Sequence, residues 1–184
     1  LDKNVNLNHL DEHDNSLLHL ASQEGCLEMV HRLSLLLNPR SFLPNKDGNS
    51  PFHLACKHGH SSIVHFFLSS SSRFDCPLEV PNGDGNYPLH LACYFNHLSI
   101  VNLLLDIPVH LEPSSNGFTP LHYASGKGHL SIVRRLLDAG ASPFVSDAKR
   151  YTPFHYAARN GHVDVASLFS SLVVSSSSSS LSLY

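Results

Sequence analysis

Thr119-Pro120-Leu121-His122-Tyr123-Ala124 is the stretch from which the rest of the chain can be read. The same pattern stands at Ser16-Leu17-Leu18-His19-Leu20-Ala21, Ser50-Pro51-Phe52-His53-Leu54-Ala55, Tyr87-Pro88-Leu89-His90-Leu91-Ala92 and Thr152-Pro153-Phe154-His155-Tyr156-Ala157. Successive His residues are 34, 37, 32 and 33 positions apart. Six residues after each His comes Gly25, Gly59, Asn96, Gly128 or Gly161, and a second His follows in four cases, with Cys26 in the first. Five residues before each His stands Asp14, Gly48, Gly85, Gly117 or Arg150. Self-similarity at a fixed period of 20–50 residues marks an array of stacked units.

One unit can be built from its residues. A Ser or Thr hydroxyl accepts from an orphan N–H at a helix start, and the Pro after it fits the first turn. The Gly or Asn ends that short helix by taking the left-handed conformation. A second helix follows, as in 129–137, where Ile132, Val133, Leu136 and Leu137 share one face. Gly140 closes it, and an extended turn carrying a Gly117-type residue leads onward. Two helices this short bury their apolar faces only by stacking on neighbouring units.

These motifs together resemble those of ankyrin-repeat proteins, over about residues 11 to 172. The resemblance implies an all-α solenoid of stacked helix-turn-helix units with hairpin-like fingers. The expected divisions are a tail of a preceding repeat at 1–10, then repeats at 11–44, 45–81, 82–113, 114–146 and 147–173, and a Ser-rich flexible tail at 174–184. The second repeat carries a Ser-rich insertion around Ser69-Ser70-Ser71-Ser72-Arg73-Phe74, which accounts for the 37-residue step. Leu17 replaces the motif Pro in the first unit, and Tyr87 replaces the hydroxyl residue in the third. The opening Asn4-Val5-Asn6 resembles the end of an ankyrin unit, and with no initiator Met the chain reads as part of a longer protein. Terminal repeats normally carry polar outer faces, and the first unit's leucines are poor material for one, so a preceding repeat or another chain is expected over that end.

Composition narrows the function classes. Of 184 residues, 42% are hydrophobic and 15% charged, and the formal charge is −3. That balance excludes a disordered acidic tail and argues against a broad nucleic-acid surface. No run of about 18 apolar residues is present to span a membrane. Cys26, Cys56, Cys76 and Cys93 form no C-x-x-C pair, so reduced thiols in an intracellular, cytoplasmic protein are expected.

The 15 His residues raise a metal hypothesis, which the repeat answers: nine occupy repeat positions, where the family resemblance implies hydrogen bonds between neighbouring units, and His19, His53, His90, His122 and His155 are expected to be largely buried. His53, His58 and His60 form the densest group but lack a carboxylate or thiol at ligand spacing. His9-Leu10-Asp11-Glu12-His13 matches a zinc-peptidase pattern that needs a helix, and here it falls in a finger. Asn82 to Asn86 has the 1-3-5 spacing of a calcium loop but lacks its Gly and its terminal Glu. Gly126-Lys127-Gly128 is a helix end rather than a phosphate loop. No catalytic residue, cofactor site or metal site is assigned.

Protein binding is the function that the resemblance implies, through the concave side of fingers and first helices. The residues there that the fold does not require are the expected site: Lys57, His58, Tyr94, Phe95, Phe118, Lys127, Lys149, Tyr151 and Arg159. Tyr94, Phe95, Phe118 and Tyr151 would form an aromatic stripe of the kind that anchors interfaces. The competing role for Phe95 and Phe118 is filling gaps between stacked units. Residues 1–92 carry net charge −4 and residues 93–184 net +1, which suits a partner with an apolar centre and an acidic end toward the last repeats. The expected partners are proteins, alone or in a larger assembly, with no nucleic acid, membrane insertion or small-molecule substrate. An alternative is a docking or regulatory arm of a larger enzyme or channel whose catalytic or membrane part lies outside this chain.

Overall fold

In the computed structural model the residues described are 9–36, 42–70, 80–107, 111 and 113–179, with side chains to 172. They contain α1 (Leu17–Gln23), α2 (Leu27–Leu36), α3 (Pro51–His58), α4 (Ser61–Ser69), α5 (Pro88–Tyr94), α6 (Leu98–Leu105), α7 (Pro120–Lys127), α8 (Leu130–Asp138), α9 (Pro153–Arg159) and α10 (Val163–Ser179). No strand occurs among the described residues. The chain divides into two compact units, Leu1–His110 and Leu111–Tyr184. In the first, α1 packs on α2 and α3, α3 on α4 and α5, α5 on α6, and α4 on α2 and α6. In the second, α7 packs on α8 and α9, and α10 on α8 and α9.

Each first helix starts where its motif predicts, with Ser16, Ser50, Tyr87, Thr119 and Thr152 at the N-caps. Nδ1 of His19, His53, His90, His122 and His155 accepts the N–H of its own cap residue at 3.1–3.3 Å. The cap hydroxyl of Ser16, Ser50, Thr119 or Thr152 lies 2.8–2.9 Å from the same nitrogen. With Nδ1 accepting, the proton sits on Nε2, which donates to the next finger: His19 to the Asn49 carbonyl and His122 to the Tyr151 carbonyl, each at 3.0 Å. One imidazole thus caps a helix and ties it to the next repeat.

His19, His53, His90 and His122 are 1% exposed, as expected, but His155 is exposed. No described finger lies beyond the last repeat to cover it. The last helix runs to Ser179, into the 174–184 segment expected to be a flexible tail. Extending a nucleated helix costs little even through serines of middling propensity. Residues 1–8 and 71–79, including most of the Ser-rich insertion, lie outside the described residues, as does Cys76.

The second helices supply the core. Ile63, Ile100, Ile132 and Val165 occupy one repeat position at 0–1% exposure, and Val64, Val101 and Val133 sit beside them at 0%. Burying each contributes about 1.5–3 kcal/mol. Phe52 meets Phe67 edge-on at 6.0 Å in the second repeat.

The Gly-His pairs work between repeats. Gly25, Gly59 and Gly128 have φ of +77, +84 and +75°. A Cβ on them would also stand 2.5–2.6 Å from the ring of His60, His97 or His162 of the following repeat. Those rings lie there because Nε2 donates to the carbonyls of Gln23, Lys57 and Gly126. The Gly therefore answers two demands, one from its own backbone and one from its neighbour.

Candidate protein-binding face

The fingers are five-residue hairpins closed by paired backbone hydrogen bonds, for instance Asn45 N–H to the Asn49 carbonyl and Gly48 N–H to the Asn45 carbonyl. A column that the sequence reading passed over builds them: Asp11, Asn45, Asn82, Ser114 and Asp147, each eight residues before a motif His. Oδ1 of Asp11, Asn45, Asn82 and Asp147 accepts from the N–H groups two and four residues later at 2.7–3.1 Å. This side-chain mimic of a backbone turn is what short Asx side chains do well. In the first unit neighbouring fingers are also laced together, Asn45 Nδ2 to Asn15 Oδ1 at 2.7 Å and Asn82 Nδ2 to Asn49 Oδ1 at 2.9 Å. Such a column was detectable from its constant offset.

In the first unit the expected residues lie at first-helix ends. Lys57 is half-buried, and His58 is exposed with its ring stacked on His60 at 6.4 Å. Burial first, then the Lys57 charge, holds the His58 ring below its ordinary pKa. Tyr94 and Phe95 are 36% and 41% exposed and meet edge to face at 4.8 Å. The Phe95 ring also stacks on His97 at 6.5 Å. At these positions the other repeats carry Gln23 and Glu24, Lys57 and His58, Gly126 and Lys127, and Arg159 and Asn160.

In the second unit Phe118 is half-buried against His122, Tyr123 and Tyr156, with ring centres 5.1–5.5 Å apart. Tyr151 is 40% exposed and meets Tyr156 at 5.8 Å. Phe118 and Tyr151 therefore come together through Tyr156, which the sequence reading did not select. Tyr123 and Tyr156 follow the motif His directly, where the first three repeats have Leu20, Leu54 and Leu91; that change of type was the available signal. Tyr156 donates its hydroxyl to Asp147 Oδ2 at 2.6 Å. Burial, then the carboxylate it faces, pushes the Tyr156 phenol up to about 12. Burial works to raise the Asp147 carboxyl, but the Tyr156 hydroxyl and the Tyr151 and Lys149 N–H groups outweigh it and hold the group below its usual range. Lys127, Lys149 and Arg159 are exposed at the end of α7, on the last finger and at the end of α9.

The stacked helix pairs, ten helices among the described residues, together with the cross-repeat His bonds and repeated fingers find their counterpart in a family model described as ankyrin repeats (3 copies), which matches residues 1–78, 18–113, 72–147 and 110–176. The chain belongs to the ankyrin-repeat family. No curated protein matches it. Ankyrin repeats generally serve as protein-interaction modules, and the family is typically non-catalytic. Among the described residues no group of three or more His, Cys, Asp or Glu is placed to hold a metal ion. None of their helices is long and apolar enough to cross a membrane. Cys26 is exposed, while Cys56 and Cys93 are buried, and burial pushes the Cys93 thiol far above its usual pKa.

Proposed function

We propose that this ankyrin array is a non-catalytic binding module that grips protein segments on the finger and first-helix side of its units. The observation that carries the reading is the exposed Tyr94–Phe95 pair, at positions where the other four repeats carry polar residues or Gly. Tyr and Phe rings bring large apolar area and are enriched where proteins bind one another, which makes them typical interface anchors. In the second unit the Phe118–Tyr151 surface, joined by Tyr123 and Tyr156, offers a similar aromatic floor. Lys127, Lys149 and Arg159 around it favour an acidic stretch in the bound segment.

The test begins with capture of partners on the full chain, followed by titration of variants. Tyr94→Ala with Phe95→Ala should weaken binding by about 2 kcal/mol or more, the scale for truncating interface anchors. Lys149→Ala should cost less and should act mainly on the salt-dependent association rate. Unchanged binding by the double aromatic variant, with its helical content intact, would place the partner on another face.

A further inference from the structure

Aligning the five repeats by position exposes two unfinished surfaces. Leu18, Phe52, Leu89 and Leu121 are 0–3% exposed, but Phe154 at the same position of the last repeat is 39% exposed. His155 departs from its column in the same way. Among the described residues no atom lies within 4 Å of where a Cβ on Gly161 would stand, whereas Gly25, Gly59 and Gly128 each lie under the next repeat's His. Beside Phe154 is an apolar groove of about 530 Å³ lined by Pro143, Phe144, Phe169 and Leu172. At the first repeat the opposite columns are open. Met29 is 48% exposed where Ile63, Ile100, Ile132 and Val165 are 0–1%, and Leu20 is 37% exposed where Leu54 and Leu91 are 4% and 9%.

These are the two halves of one repeat–repeat joint. We infer that the last repeat of one chain receives the first repeat of a second copy, head to tail, in the register of the array's internal joints. The internal joints supply the pairing. His19 donates to the Asn49 carbonyl, so His155 would donate to the Asn15 carbonyl of the second copy. Lys46 and Gly83 donate their N–H groups to the His13 and Asp47 carbonyls of the preceding finger, so the N–H of Glu12 would meet the carbonyl of Lys149. Cys26, exposed and standing where other repeats have the second His, would face Gly161.

Charge favours a second copy over an arbitrary apolar partner. The exposed finger and helix end of the first repeat present Glu12, Asp14 and Glu24, and those of the last repeat present Lys149, Arg150 and Arg159. The finger contact admits a side chain at the positive-φ position, since Asp14, at φ 60°, directly follows His13, whose carbonyl accepts the Lys46 N–H at the first internal joint. Arg150, at φ 65°, would lie beside Glu12 with the two signs exchanged. Because the two faces differ, the contact is heterologous and each added chain offers a fresh face for another.

The experiment is sedimentation of the full chain from micromolar to submillimolar concentration, with Phe154→Glu and Met29→Glu as separate variants. The parent mass should rise with concentration past that of a dimer, and added salt should weaken the rise. Either variant alone should weaken association at least about tenfold, as loss of a buried anchor does. Both side chains are exposed in the single chain, so unchanged far-UV circular dichroism and urea midpoints should verify the folds. An equimolar mixture of the two variants should form a one-to-one dimer that grows no further, because only one intact pair of faces remains. A parent that stays monomeric throughout would overturn the inference and leave the ends to further repeats or other partners. So would association that survives either variant, or variants that fail to pair in the mixture.

Discussion

Replacing His53 by Gln should flatten the loss of stability expected of the parent between pH 6.5 and 4. The His53 ring is 1% exposed, its Nδ1 accepts from the Ser50 N–H at 3.3 Å, and its Nε2 is buried without a hydrogen-bond partner among the described residues. Burial dominates and lowers its pKa from the 6.5 of an unperturbed ring to about 4. The folded ring stays neutral while the unfolded ring takes up a proton below pH 6.5. The unfolded state then binds more protons, so stability is fully present above pH 6.5, falls with pH, and levels off below about 4. A separation of about 2.5 pH units at about 1.4 kcal/mol each gives a loss of about 3 kcal/mol. Burial lowers His19 and His122 in the same direction, adding to the parent's slope. Asp11 and Asp147, held below the ordinary 3.8, lose their contribution only in stronger acid, outside this window. Urea denaturation followed by circular dichroism at pH 7.5, 6, 5 and 4 measures the difference. The variant starts less stable at pH 7.5, by about 1–3 kcal/mol for the broken cap, and the gap should close toward pH 4. Parallel profiles for parent and variant would refute a buried neutral His53.

Two further outcomes follow from the joints and fingers. Gly128→Ala should destabilise more than Gly161→Ala in urea melts, because both carry the left-handed penalty of about 1–2 kcal/mol but only Gly128 would press its Cβ against a ring, His162, at 2.5 Å. Ser114→Asn should stabilise by about 1 kcal/mol, since the Ser114 hydroxyl is buried without a hydrogen-bond partner where Asp11, Asn45, Asn82 and Asp147 each accept two N–H bonds; equal thermal midpoints would show that the fourth finger does not need that closure.

Helix starts, helix ends and the repeat period were legible in the residues because they are local. A Ser or Thr cap and the His three positions later meet within one turn, whatever lies around them. Positive φ was legible as Gly48, Gly85 and Gly117 in the three middle fingers, yet Asp14 and Arg150 adopt it too, at 60° and 65°. The finger's hydrogen bonds impose that conformation, and the pressure for Gly comes from the neighbour: a Cβ on Gly48 would stand 2.2 Å from the Gly83 nitrogen.

Tertiary structure decided what depends on a residue arriving from some 30 positions away. The ring of His60 over Gly25, the Tyr156 bridge between Phe118 and Tyr151, and the exposure of Met29, Phe154 and His155 are all of this kind. The motif letters at His19 and His155 are the same, and the sequence by itself assigned both to the interior. Burial is a property of the joint between repeats rather than of a residue within one. His19 therefore closes a contact with the next finger, while His155 presents the same donor to solvent.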